Sequence, residues 1–399
     1  MIERSASNTL HKLLGYYPVV AISGPRQSGK TTLARHALPN KPYVSLEDPD
    51  ARAFAIGDAR GFLGQYPDGA VLDEVQRAPE LASWLQTRVD LDGRPGLYVI
   101  TGSQQFGLFD RVSQSLAGRV GFLHLLPFSW AELSPLHPAT GLEEVLWRGS
   151  YPPIHDRGIP PHVWFADYLA TYVERDVRQL VNVRDLAAFH RFVLLCAGRS
   201  GQLLNLSALA ADCGVTHNTA AAWISVLEAS YLVVRLQPWH RNLGKRLTKA
   251  PKLYFLDSGL AAWLAGVREP GDLVSGSMRG PIFETFVVSE FLKQKRNMLR
   301  SDELYFWRDS AGHEVDLVVE RGRRVGLVEV KSGRTLATDW FDQIDRVRGM
   351  AGGEGEGVVV YGGDVSRPGA AQPAFGWRQI DDAVRSVMGR EELRLVRSE

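Results

Sequence analysis

Over roughly the first 125 residues, short β-rich apolar runs alternate with segments whose apolar positions recur at helical spacing. That is the pattern of a parallel sheet with helical crossovers. The runs predict strands over Pro18 to Ser23, Tyr43 to Leu46, Ala70 to Asp73, Leu97 to Thr101 and Gly121 to Leu125. From Pro127 to Pro161 the chain is rich in Pro, Gly and Trp, and long helical stretches such as HVWFADYLATYVERDVRQL follow. A second break, REPGDLVSGSMRGP at 268–281, has the turn-forming composition of a linker. Beyond it the pattern predicts a helix, three strands, a helix and a strand. The chain therefore divides into three expected domains, 1–150, 151–267 and 268–399, with no repeat of solenoid period.

Composition changes this picture little. With 46 Lys+Arg against 45 Asp+Glu the formal net charge is +1, which excludes a polybasic coat or an acidic tail but says nothing of local patches. Cys196 and Cys213 lie in no metal-ligand or disulfide pattern, so a reducing, cytoplasmic setting is expected. No signal-peptide core and no apolar run of membrane-spanning length is found, so no membrane partner is expected.

The sharpest chemical signal is GPRQSGKT, Gly24 to Thr31, between the apolar run PVVAIS and the helical TLARHAL. It matches GxxxxGK[ST] in its strand, loop and helix context. Glycines let backbone N–H groups turn toward phosphates, and the helix N-terminus adds positive potential. Lys30 reaches the β- and γ-phosphates and Thr31 holds Mg2+. The nucleotide-binding set is Gly24, Pro25, Arg26, Gln27, Ser28, Gly29, Lys30, Thr31 and Thr32, joined by Asp73 and Ser103, with ATP and Mg2+ as cofactors. In AVLDEVQ an apolar strand ends in a paired acid, where Asp73 would organise the Mg2+ shell and Glu74 would deprotonate the attacking water. The paired acid favours hydrolysis over transfer to an acceptor. Ser103 and Gln104, after the strand LYVIT, are placed to touch the γ-phosphate or the water. Arg119, in SLAGRVGF, is a candidate arginine finger for a neighbouring subunit, which implies a homo-oligomer.

The order GPRQSGKTTL, VLDEVQ, ITGS, SLAGR and LPFSWAEL, with the later TYVERDV, resembles a widespread bacterial and archaeal group of AAA+ ATPases with a C-terminal domain of unknown role. The resemblance runs over nearly the whole chain. It implies an AAA+ core with Arg119 as its finger, and it supplies no cellular substrate.

Residues 203–233 read as helix, Gly-containing turn, helix and apolar tail, a helix-turn-helix pattern. Ser207 and Thr216 are candidate N-caps, Gly214 suits the turn, and Ala210, Val215, Ile224 and Leu227 fall at core spacings. His217, Asn218, Thr219 and Trp223 fall near the start of the expected recognition helix. The following RLQPWHRNLGKRLTKAPK, 235–252, carries six Lys or Arg and no acid, suiting a winged hairpin that touches DNA phosphates.

In the last part the strand EVDLVVE carries Asp316 and the strand RVGLVEVK carries Glu329 and Lys331. Period-2 geometry puts Glu329 and Lys331 on one face and Val328 and Val330 on the other. Asp316 and Glu329, with Glu284 from the preceding helix, would ligate Mg2+. Lys331 would activate a water against a phosphodiester, and Gln343 would assist. This D-x12-ExK arrangement resembles the PD-(D/E)xK nucleases, although Val315 stands where those families usually have proline.

The fold class expected is α/β: a P-loop AAA+ parallel sheet, an all-α winged-helix segment, then a restriction-endonuclease-like α/β domain. The function expected is an ATP-hydrolysing DNA-processing motor or nuclease. The alternative is an NTP-gated regulatory scaffold whose nuclease-like domain is silent.

Overall fold

A computed structural model describes residues 2–102, 115–173, 185–240, 250–350, 356–370 and 372–389. The first sheet contains β1 (Val19–Ser23), β2 (Tyr43–Ser45), β3 (Val71–Asp73), β4 (Tyr98–Thr101) and β5 (Val120–His124). All five pair in parallel, in the order β2-β3-β4-β1-β5. Each lies within the expected run or one residue from it. β1, β3 and β4 are buried throughout, as strands covered on both faces must be, which is why they read as unbroken apolar runs.

Among the described residues the second sheet has eight strands: β6 (Gln202–Leu203), β7 (Val233–Pro238), β8 (Lys252–Phe255), β9 (Glu303–Arg308), β10 (Glu314–Arg321), β11 (Arg324–Lys331), β12 (Gly357–Tyr361) and β13 (Ala374–Gly376). Their order is β13-β12-β11-β10-β9-β7-β8-β6. Two expectations change here. The middle segment is not all-α, because β6, β7 and β8 lie within it. The break at 268–281 is also no seam between sheets. β7 pairs in parallel with β9, matching Gln237 to Tyr305 and Pro238 to Phe306, so the strands on either side of the break form one sheet.

The helix Arg279–Asn297 ties this sheet to the first part of the chain. Glu290 on it is 1% exposed, accepts the Trp130 backbone N–H at 2.7 Å and pairs with Lys293 at 2.8 Å. Lys293 in turn donates to the Ser150 hydroxyl at 3.0 Å. At the end of the helix, the Asn297 carbonyl accepts the Thr9 hydroxyl at 2.5 Å.

Candidate functional sites

The loop between β1 and the helix Lys30–Ala37 depends on two glycines. Gly29 caps the helix at φ 90°, and Gly24 has φ 147° with so little room that a Cβ would sit 2.1 Å from the Leu125 carbonyl oxygen. Lys30 is buried and donates from Nζ to the carbonyls of Gly24 at 3.1 Å and Pro25 at 2.7 Å. Burial pushes its ammonium down to about 8, against the pull of Glu74. The Ser28 hydroxyl is fully buried with no hydrogen-bond partner among the described residues, a polar atom that a phosphate oxygen would satisfy.

Opposite the loop stands Asp73. The Thr31 hydroxyl lies 3.0 Å from each of its carboxylate oxygens, and the Tyr43 hydroxyl donates to Oδ2 at 2.7 Å. Because β4 lies between β1 and β3, Thr101 at its end is carried between them and donates its hydroxyl to Asp73 Oδ1. Thr31 and Asp73 together form the oxygen donor pair that a hard divalent cation takes, so the residues fit Mg2+. Glu74 follows in the left-handed region at φ 56°, a conformation costly for a side chain and concentrated at functional sites. Gln76 donates to its carboxylate, and burial raises its pKa above the usual range against the pull of Lys30.

Asp73 and Glu74 border a cavity of about 640 Å³. Arg26, Gln27, Gly29, Lys30, Thr31 and Thr32 line it from the loop, while Gly24 and Pro25 hold Lys30 from behind. The sequence reading missed the opposite wall. Ile2, Arg4, Phe128, Pro153 and Arg157 line it, and Arg4 donates to the Ser28 carbonyl at 2.9 Å while its guanidinium stands 4.6 Å from the Phe128 ring centroid. No local motif announces these residues. Ser103 and Gln104 lie outside the described residues, as does TYVERDV beyond Val173. Arg119 does not line its own chain's cavity. It pairs with Asp90 on the surface.

In the middle segment, helices Leu206–Cys213 and His217–Ala229 flank Gly214, which takes φ 70°. Thr216 caps the second helix as expected, but Asn205 caps the first in place of Ser207, its side chain accepting the Ala208 N–H. His217 and Asn218 are exposed and Thr219 is half-buried. Trp223 cannot be a surface reader: it is 3% exposed, edge-on to Phe189 and Phe192. Within the basic stretch, 241–249 lies outside the described residues. Arg235 is paired with Glu228 at 2.6 Å. Lys252 is buried against carboxylates and presents no charge to a phosphate backbone.

At the second sheet, Glu329 and Lys331 share a face as expected and pair at 2.7 Å, while Val328 and Val330 enter the core with Phe283 and Phe286. A bulge between Val315 and Val318 sends both valines to one face of β10 although they are three residues apart, and Asp316 sits within it. Asp316 Oδ2 accepts the Val330 N–H at 2.8 Å. Oxygens of Glu284, Glu314 and Asp316 lie within 4.8 Å of one another, and Glu314 was not foreseen. Burial, with Glu284 and Glu329 close by, holds the Asp316 carboxyl well above the usual range, and burial raises Glu329 despite Lys331. Burial disfavours the Lys252 ammonium, but Glu284, Asp316 and Glu314 outweigh it and hold its pKa above the ordinary value. Among the described residues no hydrogen bond joins Gln343 to this group.

A parallel sheet, a phosphate loop leaving β1 between β4 and β5, and a Thr–Asp pair beside a half-buried Glu define a P-loop ATPase domain. An AAA domain model matches residues 16–134. Two domains of unknown function match further along, DUF8612 over 139–271 and DUF4143 over 279–375. The chain is 32% identical over 337 residues to uncharacterized protein Rv2008c of Mycobacterium tuberculosis and to uncharacterized protein Mb2031c of Mycobacterium bovis, across 84% of this chain and 74% of each relative. It belongs to the same family as these mycobacterial proteins. Among solved structures, the Walker-type ATPase PABY2304 of Pyrococcus abyssi aligns with 66% of this chain and 96% of its own at 16% identity and a TM-score of 0.43. A Thermotoga maritima RuvB Holliday junction branch migration motor aligns with 58% and 88% at 19% identity and a TM-score of 0.28. Among the described residues no helix is long and apolar enough to cross a membrane.

Proposed function

We propose that this protein hydrolyses ATP and uses the cycle to act on DNA. The observation that carries hydrolysis is the Thr31–Asp73–Thr101 constellation beside a half-buried Glu74. Lys30, freed from the Gly24 and Pro25 carbonyls, would meet the phosphates, and Thr31 and Asp73 would hold Mg2+, which when bound neutralises charge developing on them. Glu74, its pKa raised above the usual carboxylate range by burial, would take the proton of the attacking water. Arg119 would serve a neighbouring copy, leaving Asp90 to do so. In this reading 1–150 is the motor, 151–267 a winged helix that contacts DNA through His217 and Asn218, and 268–399 a nuclease-like domain.

The test is ATP turnover by the purified protein with no DNA and with single-stranded, duplex and four-way-junction DNA, run beside a cleavage gel. Turnover that is absent, or that survives in Glu74→Gln, would sink the ATPase. Turnover indifferent to all three DNAs would remove DNA as the partner. Mixing Arg119→Ala with Glu74→Gln protein tests the finger, and no rescue in confirmed mixed oligomers counts against it.

A second reading is favoured by Lys252, which occupies the acid cluster. Here the nuclease-like domain grips or transmits without cutting, and Lys331 serves as the counter-charge to Glu329.

A further inference from the structure

Four carboxylates from three elements converge on the second sheet: Glu284 of the helix Arg279–Asn297, Glu314 and Asp316 of β10, and Glu329 of β11. In a metal-dependent nuclease such a group would hold a divalent cation, yet a cation is built into the chain here. Lys252 Nζ lies 2.9 Å from Glu284 Oε1 and 3.8 Å from Asp316 Oδ1, and it also pairs with Glu314. These are the same three residues whose oxygens come together closely enough to hold an ion. The lysine side chain is 3% exposed, and the ring centroids of Tyr254 and Phe306 stand 5.9 and 5.6 Å from its nitrogen.

Other donors take two of the cluster's oxygens. The Tyr254 hydroxyl donates to Glu284 Oε1 at 2.5 Å, and the Val330 N–H donates to Asp316 Oδ2. The backbone under Lys252 is fixed on both sides, by β6 through Leu203 and by β7 through Leu236. The strand pairing fixes where its stem starts, and the rings of Tyr254 and Phe306 flank its nitrogen. A divalent ion entering among these oxygens would meet an ammonium at contact range, so the residues do not fit Mg2+ as they stand.

We infer that Lys252 is the resident cation of this cluster, its ammonium standing where a divalent metal would bind and tying β8 to the helix Arg279–Asn297 and β10. The inference rests on the second reading above. It gives that reading its cause: the acids form an internal ion-pair network with Lys252 that couples the middle segment to the last, and the metal position is filled by the chain itself.

Mn2+ binding to the full chain tests this, read by electron paramagnetic resonance, with Asp73→Asn in every arm to remove the nucleotide-site metal. The Asp73→Asn protein and its Asp316→Asn derivative are expected to bind Mn2+ alike and weakly. Adding Lys252→Gln to Asp73→Asn is expected to create one site at least tenfold tighter, abolished by Asp316→Asn. A Mn2+ site in the Lys252-containing protein that Asp316→Asn removes would overturn the inference, as would a folded Lys252→Gln protein that gains no site. Should Lys252→Gln not fold, the two Lys252-containing proteins still decide the matter. The cleavage gel keeps the two claims apart. Metal bound at Asp316 without DNA cleavage defeats the lysine inference alone, whereas Mg2+-dependent cleavage lost in Asp316→Asn defeats the non-cutting reading itself.

Discussion

The Tyr231 hydroxyl lies 2.8 Å from His124 Nδ1, and the Ser23 hydroxyl lies 2.6 Å from the same nitrogen. Ser23 ends β1 immediately before Gly24, and Tyr231 sits at φ 56° in the turn before β7, so the strand that feeds the phosphate loop is hydrogen-bonded to the start of the second sheet. Tyr231→Phe removes one hydroxyl at a cost of about 1 kcal/mol. The expected result is a folded protein that binds nucleotide but no longer transmits it. Hydrogen exchange at 231–238 should respond to an ATP analogue in the native protein and not in the variant.

Acidification should act through the same histidine. Burial, with Arg296 adding to it, pushes His124 down to about 4, and burial does the same to His155. The unfolded chain titrates near 6.5, so each histidine's contribution is complete above that pH and is lost as pH falls toward 4, by about 2 kcal/mol at pH 5. Asp381, raised to about 7 chiefly by burial, works in the opposite sense, because its penalty grows as pH rises from 3.8 to 7. Urea unfolding at pH 7 and pH 5 of the native chain and of His124→Asn isolates the histidine term, because Asp381 contributes equally to both proteins. His124→Asn should lose about 2 kcal/mol less than the native chain over that interval.

Lys30 predicts a pH dependence of nucleotide affinity. With its pKa at about 8 in the nucleotide-free chain, the ammonium that phosphates require is progressively lost above that pH. Affinity for ATP should be flat below pH 7 and fall about tenfold by pH 9, with proton uptake on binding near pH 8. Titration calorimetry in buffers of different ionisation enthalpy checks both. A flat profile to pH 9 would mean that Lys30 is not depressed.

Thr101→Val should separate positioning from chemistry. The Thr101 hydroxyl holds Asp73 and also lies 3.4 Å from the Glu74 N–H, so its loss leaves nucleotide binding largely intact and lowers turnover roughly 10-fold to 100-fold. Glu74→Gln, which removes the base itself, should lower turnover by roughly 100-fold or more at unchanged ATP affinity. Steady-state turnover and equilibrium binding on the same proteins distinguish the two.

The Glu290–Lys293 pair holds the helix Arg279–Asn297 to the first part of the chain. Lys293→Met leaves a buried carboxylate without its partner and should destabilise the protein by roughly 3–5 kcal/mol. The double change Glu290→Gln with Lys293→Met should recover most of that in thermal unfolding.

Much of the nucleotide site was legible in the chain because it is local. The loop from Gly24 to Thr31 is contiguous, β1 and β3 announce themselves as apolar runs, and Asp73 and Glu74 fall where β3 ends. The pairing of Glu329 with Lys331 followed from strand periodicity alone. What remained hidden comes from residues far apart in sequence. Thr101 reaches Asp73 because β4 sits between β1 and β3, an order of strands that no single run encodes. Arg4 reaches Ser28, and Arg157 faces the loop, only once the chain is folded.

The same division explains Trp223 and Lys252. Sequence determined that one lies on the second helix of the pair and the other in a basic stretch, and both positions invited contact with DNA. Tertiary packing decided otherwise. Trp223 fills the space beside Phe189 and Phe192, and Lys252 enters a group of acids drawn from residues 284 to 316. Periodicity tells which face of an element is apolar. Which partner that face meets, and whether a charge there is solvated or enclosed, depends on strand order and register, and those exist only in the assembled sheet.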